Sequence, residues 1–148
     1  IHLNSKIKGV QQNLFAFLKN NNASIINHIT EDIYIKAIPA YLESILMNFI
    51  TNAVKYKDPN RDPIITLTTK RSQDYMILSI ADNGLGIDLK KYGSKLFGMY
   101  KTFHNNTDAW GIVLYSTKNQ NETRKGTIIT TSEIGKGTTF NIYFNDKV

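Results

Sequence analysis

Residues 81–87 read Ala81-Asp82-Asn83-Gly84-Leu85-Gly86-Ile87, directly after Tyr75-Met76-Ile77-Leu78-Ser79-Ile80. The upstream run has the β-branched and aromatic character of a buried strand. A strand that ends on a carboxylate and then carries two glycines one residue apart is unusual. A plain turn needs one glycine at most, so two imply that something comes close to the backbone. Asp-Asn-Gly by itself is ordinary turn chemistry. Its meaning depends on a second stretch, Glu43-Ser44-Ile45-Leu46-Met47-Asn48-Phe49-Ile50-Thr51-Asn52-Ala53-Val54-Lys55-Tyr56.

Asparagine costs roughly half a kcal/mol or more against alanine inside a helix. Here two stand at i and i+4, Asn48 and Asn52, with Lys55 three residues further on. At 3.6 residues per turn these three share one face, with Ser44 one turn earlier. That face lies beside the apolar stripe of Leu42, Ile45, Leu46, Phe49, Ile50, Ala53 and Val54, at the rim of a core. An amide oxygen suits a hard cation such as Mg²⁺, and a lysine suits phosphate. The same pattern, taken alone, also fits a solvated helix face with incidental asparagines.

Composition narrows the setting. The chain has 148 residues, 41% of them hydrophobic and 11% aromatic, as in one globular domain. It has no cysteine, which excludes a disulfide framework and cysteine-ligated zinc. No apolar run approaches the roughly 18 residues of a membrane span, and no signal peptide opens the chain. The chain starts at Ile1 rather than methionine and reads as a piece of a longer protein. Its net charge is +6. Lys and Arg are scattered in runs of at most two, without a basic stripe interleaved with aromatics. A phosphate-bearing small ligand therefore accounts for the bias better than nucleic acid does.

Working outward from the two stretches gives the organisation. Residues 5–20 form a helix on Ile7, Val10, Leu14 and Leu18, broken by Asn20-Asn21-Asn22. Two short β-rich runs follow, Ser24–Ile29 and Ile33–Ala37, joined by Thr30-Glu31-Asp32. Pro39 opens the long helix, a favoured first-turn position. After the loop Asp58–Pro63, Ile64–Arg71 and Tyr75–Ala81 pair as a hairpin. From Asp82 to about Ala109 the chain is rich in Gly, Lys and Asn, the length and composition of a functional lid. Gly111–Asn121 reads as a helix, and Thr127–Glu133 with Thr138–Phe144 as a hairpin around Gly135-Lys136-Gly137. This order predicts an α+β fold, a two-layer sandwich with helices on one face of a mixed sheet.

Taken together, N-x-x-x-N-A-x-K-Y, a strand-terminal D-N-G-x-G-I, a long lid and a late G-K-G-T-T-F resemble the ATP-binding domain of sensor histidine kinases. This is the GHKL ATPase superfamily, with the histidine-kinase-like (Bergerat) fold. The phrases PAYLESILMNFITNAVKY, KLFGMYKTFH and LYSTKNQ are similar to a subgroup of bacterial two-component kinases, and the resemblance covers essentially the whole chain.

The resemblance implies roles residue by residue. Asn52 coordinates Mg²⁺, Asn48 meets the phosphates or metal-bound water, Lys55 meets phosphate, and Tyr56 packs near adenine or ribose. Asp82 accepts from the adenine amino group. Gly84 and Gly86 let the backbone approach the purine, Ile87 lines the base pocket, and Thr138 supports the aspartate. The lid runs from about Lys90 to Trp110, with Phe97 and Phe103 as its aromatic box or as plain tethers, Lys101 as a phosphate contact and His104 as a bystander. ATP and Mg²⁺ are the implied cofactors. The implied reaction is transfer of the γ-phosphoryl to a histidine on a dimerisation domain upstream of Ile1, then to an aspartate of a response regulator. None of His2, His28 and His104 has the expected acceptor context. The isolated domain is expected to be a monomer with little activity of its own. It is expected to be cytoplasmic, in a homodimeric parent that is membrane-anchored or not.

One departure stands out. The family closes its lid with a glycine cluster whose following helix binds phosphate through its N-terminal amides. Here the segment is Ala109-Trp110-Gly111-Ile112-Val113-Leu114. Trp110 stands for an arginine and Val113 for a glycine, so Gly111 alone remains. The departure admits a rival reading, a degenerate nucleotide-binding or scaffold module without kinase activity.

Overall fold

The computed structural model describes residues 1–86 and 127–145. The lid, Ile87, Lys101, Gly111, the Trp110 and Val113 departures and the expected helix Gly111–Asn121 lie outside the described residues.

The first helical pattern divides into α1 (Leu3–Asn13) and α2 (Phe15–Asn20). Leu14 leaves helical geometry between them, while its N–H still bonds Val10 O at 3.0 Å. The single helix expected over 5–20 is thus interrupted without losing its apolar stripe: Leu3, Ile7, Val10, Leu14 and Leu18 are all buried. The asparagine run does end it. Asn22 adopts φ +53°, a left-handed conformation that asparagine tolerates, and Ala23 N–H returns to Leu18 O at 2.9 Å.

Strand β1 (Ser24–Asn27) stops short of the expected Ile29. The Asn27 side chain takes the Ile29 N–H at 2.9 Å, and this local turn competes with the ladder. The strand expected over Ile33–Ala37 does not form. Tyr34 makes one isolated antiparallel bridge to His2, flanked by Leu3 N–H to Ile33 O and Ile35 N–H to Ile1 O. His2 is followed at once by α1, whose helical backbone cannot carry an antiparallel ladder on from Tyr34 toward Ile33. Pro39 then starts α3 (Pro39–Lys55) at its first turn.

Strands β2 (Ile64–Ser72), β3 (Tyr75–Asp82), β4 (Thr127–Glu133) and β5 (Gly137–Asn145) complete the sheet. The order is β1-β2-β3-β5-β4. The β1–β2 pair is parallel and the others antiparallel, so the sheet is mixed as expected. Ile65, Leu67, Met76, Leu78, Ile80, Phe140, Ile142 and Phe144 fill one face. Against them pack Leu42, Ile45, Leu46, Phe49, Ile50, Ala53 and Val54 of α3, all buried. Phe49 stacks on Phe140 with ring centroids 4.3 Å apart, fixing α3 to the middle of β5. Among the described residues, no helix is long and apolar enough to cross a membrane.

Candidate functional site

The last two turns of α3 carry one wall of the site. Asn48 is half-buried, with its amide Nδ2 3.4 Å from Ser44 Oγ. Asn52, one turn on, is buried at 6% exposure, and its Nδ2 has no hydrogen-bond partner among the described residues. Such an orphan costs roughly 1–3 kcal/mol, so native chains rarely keep one without a use. Lys55 is exposed in the last turn, with Nζ 5.6 Å from the ring centroid of the buried Tyr56. An ammonium there also complements the negative end of the helix dipole.

The other wall is the end of β3. Asp82 lies on the same sheet face as the buried Leu78 and Ile80, four and two residues before it. Its Oδ1 accepts the Gly84 N–H at 2.9 Å and the Thr138 N–H at 3.2 Å. Among the described residues no donor reaches Oδ2. Burial pushes this carboxyl above its ordinary value, against the two N–H bonds, from Gly84 and Thr138, which pull it down. Thr138 is itself buried. It supports Asp82 through its backbone N–H, while its hydroxyl pairs with Ser132 Oγ at 2.8 Å.

The glycines explain how the walls meet. A Cβ on Gly84 would stand 3.0 Å from Tyr56 O and 3.1 Å from Asp82 Oδ1. Gly84 thus lets the loop press against the C-terminal end of α3. Gly86 has φ +79°, and a Cβ there would lie 2.2 Å from Glu133 O. In the structure this pair of glycines serves a close approach to the protein's own backbone, at Tyr56 and Glu133. Gly137 plays the reciprocal part: at φ +132°, its Cβ would meet Asp82 O at 2.0 Å. Loop 82–86 is therefore wedged between α3 and the β4–β5 turn, where Gly135 N–H bonds Leu85 O at 2.8 Å.

The structure thus brings Asn48, Asn52, Lys55, Tyr56, Asp82, Gly84, Gly86 and Thr138 to one end of the sandwich. Sequence reasoning missed three contributors. Gly137 was read as a turn residue and as part of the G-K-G-T-T-F motif, without a role at the site. Asn83 bridges two loops, its Nδ2 donating to Asp62 O at 3.0 Å and its Oδ1 accepting the Ile64 N–H at 2.8 Å. Arg61, in a segment that reads simply as a loop, bonds the carbonyls of Asn83 and Gly84. An isolated arginine in a polar loop carries no periodic signal that could have singled it out.

Comparison with known proteins places the chain in a family. Residues 37–148 match the family model described as histidine kinase-, DNA gyrase B-, and HSP90-like ATPase. Sensor protein RprX of Bacteroides fragilis is 29% identical over 93% of the chain, which spans 27% of that protein. The signal transduction histidine-protein kinase ArlS of Staphylococcus aureus is 30% identical over 78% of the chain, covering 26% of its own length. The chain thus spans about a quarter of these curated relatives. Among solved structures, the catalytic domain of histidine kinase ThkA superimposes with a TM-score of 0.83 at 18% identity, over 99% of this chain and 95% of that one. Full-length ShkA in complex with AMPPNP gives 0.79 at 21% identity, over 97% of this chain and 30% of its own. These likenesses establish the fold.

Proposed function

From the premise that the chain belongs to the family of histidine kinase-, DNA gyrase B- and HSP90-like ATPases, as a catalytic domain of the sensor histidine kinase type, we propose that it binds ATP with Mg²⁺ and donates the γ-phosphoryl to a histidine of a separate dimerisation domain. The phosphoryl then passes to an aspartate of a response regulator. The observation that carries this reading is the buried amide of Asn52, whose Nδ2 has no partner among the described residues, on the helix whose C-terminal end packs against the loop that follows Asp82.

Asp82 holds Oδ1 on two backbone N–H groups and offers Oδ2 to an exocyclic amino group, the feature that separates adenine from guanine at that edge. Tyr56 supplies an apolar surface at the same end of α3, and Lys55 is free to swing from the Tyr56 ring toward a phosphate. Asn48 and Asn52 present amides whose rotation offers either N–H donors or a hard oxygen. Among the described residues no group of three or more His, Cys, Asp or Glu stands together as a metal cage. A carboxylate-poor donor set of this kind fits Mg²⁺ shared with phosphate oxygens rather than a protein-enclosed ion. Bound there, Mg²⁺ neutralises charge on the triphosphate. The protein's own contribution is orientation and electrostatics. The acceptor histidine, the regulator and any parental dimer lie outside this chain on the same reading.

Calorimetric titration with a non-hydrolysable ATP analogue, with and without Mg²⁺, tests it. Magnesium-dependent binding is expected, and its loss in Asn52→Ala. That variant should keep its stability within about 1 kcal/mol, because deleting an unsatisfied buried amide offsets the lost packing. No binding by the unaltered protein would replace this reading with the scaffold reading that Trp110 and Val113 suggest.

A further inference from the structure

We propose that Arg61 is a positioning residue for the nucleotide site, acting through the backbone of Asn83 and Gly84 to hold the Asp82 carboxylate in its purine-reading orientation. The inference rests on the ATP reading above for its ligand, but its structural half stands without it.

The geometry is a clamp. Arg61 Nε and Nη2 donate to Asn83 O at 3.0 and 2.8 Å, and Nη2 also reaches Gly84 O at 3.0 Å. The same Nη2 lies 3.3 Å from Asp58 Oδ2, which fixes the guanidinium from behind. Asp58 in turn shapes its own turn, accepting Asn60 N–H on Oδ1 at 2.8 Å and Arg61 N–H on its carbonyl at 3.1 Å. Asn83 ties the two loops a second time through Asp62 and Ile64. Loops 58–64 and 82–86 therefore behave as one body. Within it, the Gly84 carbonyl is held by Arg61 while the Gly84 N–H holds Asp82 Oδ1.

A planar fork of N–H donors suits this task; a lysine ammonium on a flexible stem cannot engage two successive carbonyls and a carboxylate in fixed directions. Arg61 is also dispensable to the core. Its side chain is 38% exposed, and its described bonds go only to loop carbonyls and Asp58. Removing it should loosen the loop without unfolding the sheet.

The test uses Arg61→Ala and Arg61→Lys in this domain, with three readouts. The first is amide exchange of Gly84 by NMR without nucleotide. The second is calorimetric affinity for Mg²⁺ with non-hydrolysable ATP and GTP analogues. The third is the melting transition. In Arg61→Ala, Gly84 exchange should accelerate and ATP-analogue affinity fall roughly tenfold, the equivalent of one charge-assisted bond. Preference for adenine over guanine should shrink, the melting transition should stay cooperative, and lysine should restore only part of the loss. The Asp82 carboxyl, deprived of a fixed Gly84 N–H, should titrate higher than in the unaltered protein. Unchanged Gly84 exchange in Arg61→Ala overturns the clamp. Faster exchange with unchanged affinity and base preference overturns its role in recognition. Failure of the unaltered protein to bind any adenine nucleotide overturns the ATP reading and the purine half of this one, and is told apart because Gly84 exchange still reports on the clamp.

Discussion

At Asp82 a carboxyl is held on the core face of a sheet, and the consequence is measurable. Burial raises its pKa in the folded state, with the Gly84 and Thr138 N–H groups opposing. A raised acid favours the fold below the ordinary carboxylate range, and that contribution is lost as pH rises through the folded pKa. Asp82→Asn removes the titration. Denaturant unfolding of both proteins across a pH series should show the stability of the variant relative to the parent increasing with pH above that range. A flat difference would mean that the carboxyl pays no net desolvation cost. Binding of an ATP analogue should fall in the same variant, because the amide presents a different pattern of donors and acceptors to the base. At this residue, stability and recognition pull apart.

At the scale of elements, the glycines separate into those that serve packing and those that do not. Gly9 sits inside α1 with nothing within 4 Å of a would-be Cβ. Gly9→Ala should stabilise the domain by about 0.5–1 kcal/mol, the helix propensity difference. Gly135 is also sterically open, but at φ +83°, so alanine there should cost about 1 kcal/mol in backbone strain alone. Gly137→Ala meets both penalties, φ +132° and a Cβ 2.0 Å from Asp82 O. It should destabilise by roughly 3 kcal/mol or more and disturb the Asp82 end of β3. Chemical denaturation of the three variants orders them; a Gly137→Ala protein as stable as Gly135→Ala would show that the β4–β5 turn can move away from loop 82–86 at no cost.

For the whole molecule, the important fact is that the site has no single element of its own. Its helix wall is fixed by the Phe49–Phe140 stack, and its strand wall by β3 lying between β2 and β5. Phe49→Ala should therefore cost about 3–5 kcal/mol and also uncouple Asn52 from Asp82. In the unaltered protein, a nucleotide that bridges the two walls should stabilise the fold as a whole. At a hundredfold excess over the dissociation constant the gain is about 2.7 kcal/mol, or roughly 5–10 °C in melting temperature for a domain of this size. Scanning calorimetry with and without Mg²⁺ and the ATP analogue measures it.

The periodicity of α3, the alternation of β2, β3 and β5 and the glycine turn at 135–137 were legible because each is a local preference expressed over several residues. So was the face bearing Asn48, Asn52 and Lys55, since helix geometry alone aligns it. Family membership was carried by the paired motifs, and the family model bears it out. Pairing partners were not legible. Ile33–Ala37 has strand chemistry, yet Tyr34 makes an isolated bridge to His2 at the entrance to α1, and the segment stays irregular. Nor could the chain alone say why Gly84 and Gly86 are glycines, because the atoms that would clash belong to Tyr56 and Glu133, remote in sequence. Arg61 and Asn83 are silent as letters and become a clamp only when two loops are brought together. Local sequence determined which elements form and which side chains they display. Only the tertiary structure decided what those side chains meet, because hydrogen bonds, steric exclusion and burial act between residues that the chain order keeps apart.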